Sequence, residues 1–239
     1  MVLNIICFLW YGDRWNKDDM GIQYVNRLHE GVQKHLSKPH RFYCMTTETH
    51  RATEFDHGIE LIELQPPCWM GCLPKLVAFD PRYGFTDQVL LLDIDLIIVG
   101  SLDDIASYRG DLCVRSKFKP GEEWKADGDI IGFKPGQPIA HKIWNTLKEN
   151  PKRAEEITGG RERYWFRYIT NHQIDRWQTL FPGQIVSYKR HVQPHGGRIP
   201  DNARIVSCHG RPRPHELPHR WAKAYWDGKL TSIMKIGKQ

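Results

Sequence analysis

A long apolar run at the start of the chain is the first thing missing. Val2–Leu9 is too short to cross a bilayer, no basic leader precedes it, and no small-residue cleavage site follows, so a cytoplasmic protein is expected. A disulfide framework is also missing. The six cysteines (Cys7, Cys44, Cys68, Cys72, Cys113 and Cys208) are scattered, several inside apparent strands, where a thiol acts as a small buried hydrophobe. Cys68 and Cys72 have no second pair at zinc spacing, which argues against a structural zinc. There is no internal repeat, low-complexity linker or evident domain boundary, so residues 1–239 are expected to form one domain. Acidic residues are in deficit: 34 Lys and Arg against 28 Asp and Glu leave a formal charge of +6. The pI is near 9.0. The basic excess concentrates after Arg109, especially between Lys189 and Arg220. It suits a phosphate-bearing partner: a nucleotide, a nucleic acid or an anionic membrane surface.

What is present is 40% apolar content in 239 residues, ample for a full core. The chain is organised around Gln88–Gly100, QVLLLDIDLIIVG. Asp93 and Asp95 interrupt an otherwise continuous apolar run, an expensive place for charge unless a partner holds it. If a buried strand ends at Asp93, both carboxylates emerge at its C-terminal edge and can reach one oxygen-preferring cation such as Mg²⁺ or Mn²⁺. As a plainer alternative, the two acids cap the end of a strand.

Around this run, strands and helices alternate. Residues 2–9 read as a strand. Ile22, Val25, Leu28, Val32 and Leu36 mark one face of a helix capped by Asp18 or Asp19 and closed by Pro39. Further strands are expected at 41–45, 59–64, 112–114, 130–133, 184–188 and 203–208. Helices are expected at 73–79 and from Pro138 to Asn150, the latter ended by Pro151, with two more segments in 152–180. The pattern predicts an α/β fold with a mixed, mostly parallel sheet flanked by helices, and ligands beyond the C-terminal strand ends.

Two other stretches fall near those ends. Trp10-Tyr11-Gly12 and Trp15 offer aromatic surface for a base, or simply core and rim packing. After the strand ending at Cys208 comes His209-Gly210-Arg211-Pro212-Arg213-Pro214. It holds an imidazole for a metal, a glycine that admits phosphate close to backbone, and arginines with forked donors for phosphate oxygens. By itself this segment also reads as a solvated tail.

Together, WYGD, PKL, LLLDIDLIIVGSLDD, FPGQIVSYK and CHGRPRPHE resemble the metal-dependent nucleotide-sugar glycosyltransferases of GT-A fold. The likeness is to family 8, which includes glycogenin and bacterial galactosyltransferases, and it runs from about residue 3 to 226. It implies a UDP-sugar donor, transfer with retention, and an acceptor that is a glycan, a lipid-linked glycan or a protein. Nucleic acid is not expected as a partner, and peripheral membrane contact stays open. Asp93, Asp95 and His209 would hold Mn²⁺ or Mg²⁺. Trp10, Tyr11, Gly12 and Ile94 would contact the nucleoside, Lys75 the phosphates or the sugar, Gly210 and Arg213 the diphosphate, and Asp127 and Asp129 would lie beside the donor sugar. The chain departs from the family pattern at three places. Asp127-Gly128-Asp129 stands where Asn or Ser and small residues are usual, Gly160-Arg161-Glu162 replaces Gly-Asp-Gln, and the spacing from His209 to Arg213 is shorter than the usual His to Lys. Two other functions remain to be separated from this one. A haloacid-dehalogenase-like phosphohydrolase would use Asp93 as nucleophile, and a non-enzymatic binder would hold glycan or nucleic acid.

Overall fold

The computed structural model describes residues 2–11 and 20–229. A seven-stranded sheet forms the centre, in the order β3-β2-β1-β4-β7-β6-β8. Its strands are β1 (Leu3–Leu9), β2 (His40–Thr46), β3 (Ile59–Glu63), β4 (Val89–Leu92), β6 (Leu112–Ser116), β7 (Ala126–Phe133) and the two-residue β8 (Asp175–Arg176). Pairing is parallel from β3 through β2 and β1 to β4, and again between β6 and β8. The strand β7 runs antiparallel to both neighbours, β4 and β6. The sheet is therefore mixed and mostly parallel.

Alternation along β1 separates two cores. Ile5, Cys7 and Leu9 face α1 (Ile22–His35) and pack with Val25, Leu28 and Val32. Ile6 and Phe8 face the other way, toward α2 (Pro138–Glu149) and α4 (Glu162–Thr170), among Ile143, Trp144, Trp165 and Phe166. The expected capping residues Asp18 and Asp19 lie outside the described residues, and α1 starts from Gly21 without a side-chain cap. Pro151 does more than end α2. It opens α3 (Pro151–Thr158), for which the Asn150 side chain accepts from the Arg153 amide at 3.0 Å. The segment Leu73–Phe79 is a fully buried 3₁₀-helix.

A second sheet was not anticipated. It is three-stranded, in the order β5-β10-β9: β5 (Leu96–Ile98), β9 (Ile185–Ser187) and β10 (Ile205–Ser207). The apolar run at the heart of the sequence thus serves two sheets. Its first half is β4, and after the acids its second half is β5, antiparallel to β10. The short helix α5 (Arg220–Trp226) packs Trp221, Ala222 and Tyr225 against the small sheet.

Candidate active site

The turn between the sheets explains why two carboxylates occur within an apolar run. The strand β4 is buried throughout and stops at Leu92. The Asp93 amide then donates to the Asp129 carbonyl at 2.9 Å, and the Leu96 amide to the Asp93 carbonyl at 3.3 Å. The chain bends there and crosses to the small sheet, leaving Asp93 and Asp95 at the seam. Leu92 pairs with Ile130 on β7, so the Asp127-Gly128-Asp129 segment runs alongside. From the other sheet, β10 ends at Ser207 and delivers His209, Gly210 and Arg213 to the same place.

A cavity of about 390 Å³ opens at this seam, lined by Asp93, Ile94, Asp95, His209, Gly210 and Arg213. Its walls are completed by Trp10, Lys75, Asp127 and Asp129, together with Arg115 and the Arg161-Glu162-Arg163 start of α4. Trp10 is buried, at 4% exposure, whereas Tyr11 is 43% exposed and is not part of the lining. Gly12 and Trp15, the other expected base contacts, lie outside the described residues.

Each acid in the cavity faces a cation. Lys75 donates to Asp93 at 2.7 Å and stands 3.7 Å from Glu162. Burial of its ammonium is outweighed by these two carboxylates, which hold its pKa well above the ordinary lysine value. Arg213 donates to Asp95 at 2.9 Å. Burial pushes the Asp95 carboxyl upward, with Arg213 opposing. Arg115, itself 2% exposed, bridges Asp127 at 2.9 Å and Asp129, whose other oxygen accepts from the Ser207 hydroxyl at 2.7 Å. Arg163 adds a second cation 3.6 Å from Asp127. Burial would raise the Asp127 pKa, but Arg115 and Arg163 together hold it below the ordinary aspartate value. His209 bonds the Ser187 hydroxyl through Nε2 at 2.8 Å and stacks on Phe118, with ring centroids 5.8 Å apart. Burial, with Arg115 nearby, lowers its pKa and favours the neutral imidazole.

Arg115, Glu162 and Arg163 were not singled out as site residues from the sequence. For Arg115 the signal was available: it follows Leu112-Cys113-Val114 directly, a charge at the end of an apolar strand, as Asp93 is in β4. The expected strand stopped at Val114, and β6 in fact continues through Arg115 to Ser116. Glu162 is marked in the sequence only through the Gly160-Arg161-Glu162 departure, and Arg163 carries no mark, because a charge on a helix usually means a solvated face.

In chemistry, two carboxylates and an imidazole suit a Mn²⁺ or Mg²⁺ ion, and Asp93, Asp95 and His209 share one cavity. In position, Lys75, Arg213 and Ser187 hold them in separate pairings. Among the described residues no three His, Cys, Asp or Glu side chains are grouped as a ligand set. Gathering the three around an ion requires Asp95 to exchange its guanidinium partner.

No family model and no curated protein sequence matches the chain. Solved structures do. The galactosyltransferase LgtC, solved in complex with donor and acceptor sugar analogues, superposes with a TM-score of 0.62. The identity is 15%, and the match covers 96% of this chain and 97% of LgtC. The fold is GT-A. The apo-form glycosyltransferase GlyE of Streptococcus pneumoniae gives a TM-score of 0.59 at 15% identity over 97% of this chain, which spans 61% of GlyE. The bifunctional glycosyltransferase WbbM gives 0.63 at 8% identity, covering 97% of this chain and 50% of WbbM. A GT-A sheet has strands ahead of its acidic pair, as β1 to β3 are here. A haloacid-dehalogenase-like phosphatase instead opens its domain with the corresponding motif, so the phosphohydrolase alternative is not favoured. Among the described residues no helix is long and apolar enough to cross a membrane.

Proposed function

We propose that the protein is a glycosyltransferase that moves a sugar from a UDP-linked donor to a glycan, lipid-linked glycan or protein acceptor, with retention of anomeric configuration. The observation that carries this reading is the convergence of Asp93 and Asp95 from the end of β4 with His209 from beyond β10 on one cavity of a GT-A fold. Two sheets have to be in register to bring these residues together, and no packing requirement calls for such a set at a seam.

In this reading Trp10 and Ile94 flank the nucleoside, while Gly210 and Arg213 receive the diphosphate. Gly210 has a φ of +76° and places the loop backbone where phosphate can approach closely. Charge-assisted bonds from Arg213 and a nearby Lys189 hold the phosphates in line for departure; each such bond contributes about 1.5–3 kcal/mol. Asp93, Asp95 and His209 are the residues that would hold a divalent ion. When bound, that ion neutralises charge on the leaving diphosphate, as a Lewis acid contributing several kcal/mol. Lys75, fixed between Asp93 and Glu162, orients both carboxylates toward the sugar end of the cavity. Asp127 and Asp129, held by Arg115, set the opposite wall beside the sugar, and burial of Arg115 and Asp129 strengthens their fields.

The test is thermal stability with UDP and Mn²⁺. A rise in Tm with both present is expected, lost in Asp95→Ala and reduced in His209→Ala. No shift with any nucleoside diphosphate and metal would overturn the reading. A panel of nucleotide sugars assayed for slow hydrolysis then identifies the donor without knowledge of the acceptor.

A further inference from the structure

Besides Lys75 and Arg115, which are held in buried ion pairs, three arginines line the cavity, and they fall in two groups. Arg213 lies with His209 and Gly210 beyond β10, and Lys189, just after β9, is close by: a side chain on Gly210 would come within 3.4 Å of its ammonium. The second group is on α4. Arg161 and Arg163 both line the cavity, on either side of the inward-turned Glu162. Their guanidinium carbons lie 6.0 and 5.2 Å from the ring centroid of Tyr164, and that of Arg167 lies 4.9 Å from it. Arg163, and Arg161 with it, pull the Tyr164 pKa below the ordinary phenol value.

Three guanidinium groups around one phenol repel one another, and the two carboxylates beside them are also committed to other cations. Asp127 is shared between Arg163 and the buried Arg115, and Glu162 turns toward Lys75. A solvated helix face would let the arginines separate. Here Arg167 is anchored by a 3.1 Å bond to the Ala126 carbonyl, and Arg163 is half-buried. The start of α4 has no side-chain cap, so its amides add to the positive potential at the same place.

From this arrangement we infer that the α4 end of the cavity binds an anionic group, a carboxylate or a phosphate, carried by the transferred sugar or by the acceptor. Arg161 and Arg163 are its ligands, with the Tyr164 hydroxyl beside them. Forked guanidinium donors suit the paired oxygens of either group, which a neutral sugar lacks. The inference rests on the reading of the cavity as a nucleotide-sugar site and adds a substrate class to it.

The experiment is calorimetric titration of the whole protein in Mn²⁺ buffer, in two arms. The donor arm compares UDP, UDP-glucose and UDP-glucuronate. The acceptor arm, with UDP already bound, compares glucose with glucose 6-phosphate. In at least one arm the acidic probe should bind at least tenfold more tightly than its neutral counterpart, and the arm that responds identifies which substrate bears the charge. Arg161→Gln, an exposed position where folding is not at stake, should cut that preference to under threefold and weaken UDP by less. Equal binding of acidic and neutral probes in both arms overturns the inference while leaving UDP binding, and so the nucleotide-sugar reading, in place. Arg161→Gln weakening UDP as much as the acidic probe also overturns it, since the α4 arginines would then serve the diphosphate. A wild-type protein that binds no UDP brings down both.

Discussion

Arg213 and Asp95, 118 residues apart in the chain, form an ion pair with Nη1 and Oδ2 at 2.9 Å and side chains only 14% and 13% exposed. The same Asp95 oxygens are those a divalent ion would take, and the same guanidinium is the one a diphosphate would take. Two such ligands would therefore exchange partners with a pair that already exists. Arg213→Gln should bind Mn²⁺ alone about threefold to tenfold more tightly, because a competing cation is gone. It should bind UDP more weakly by about 1.5–3 kcal/mol, the worth of a hydrogen bond to a charged group. Paramagnetic titration of Mn²⁺ without nucleotide and calorimetry of UDP read the two effects separately. Metal affinity that is unchanged or lower in Arg213→Gln would count against the exchange.

Arg115 is the most deeply buried cation of the site, between Asp127 and Asp129. Arg115→Met leaves two carboxylates in a dry wall, and stability should fall by about 3–5 kcal/mol, as when one partner of a buried pair is removed. Adding Asp127→Asn and Asp129→Asn to Arg115→Met should recover part of the loss. Urea midpoints at constant m-value measure both steps. A single variant as stable as the wild type would mean that the wall is wet.

Asp127 links stability to pH. Its folded pKa lies below the ordinary value because of Arg115 and Arg163, with burial opposing them. A depressed carboxylate pKa contributes stability that is fully present above the unfolded value, near 3.9, and is lost as pH falls through the folded one. Asp127→Asn should therefore be less stable than the wild type at pH 7, with the gap constant down to about pH 4 and closing below it. Melting curves of the two proteins at a series of acid pH values test this. A gap that persists with the wild-type carboxylate protonated would show that the pairing contributes nothing.

Gly128 matters for its missing side chain. A Cβ there would stand 2.7 Å from the Cγ of Glu162, and Glu162 cannot swing aside without leaving Lys75. Gly128→Ala should cost about 1–3 kcal/mol by overpacking. With Glu162 at the donor sugar, as the proposed function has it, the variant should also impair nucleotide-sugar turnover more than UDP binding. Comparing the UDP affinity of the variant with its turnover separates the two, and loss of both in equal proportion would contradict this placement.

Several of these relationships could be anticipated from the residues. The alternation of strands and helices, the acids ending a buried strand and the arginines near His209 all rest on local periodicity and on the cost of isolated charge, which a linear pattern records. That cost marked Asp93 and Asp95, and by the same logic it marks Arg115. The departure at Asp127-Gly128-Asp129 was equally visible, but its compensation by Arg115 was not, because the cation that neutralises it comes from the neighbouring strand.

The chain order of apolar, charged and turn-forming residues was enough to specify an α/β layer structure and to pick out the carboxylates at its edge. It did not say that Leu96–Val99 leaves the central sheet, that β7 runs antiparallel between β4 and β6, or that α4 brings Glu162 and two arginines to the cavity. An apolar strand is equally satisfied by any partner that completes its hydrogen bonds and covers its faces. Which partner it takes is set by the packing of the whole chain, and with it the choice of Arg213 for Asp95, Lys75 for Asp93 and Arg115 for the opposite wall.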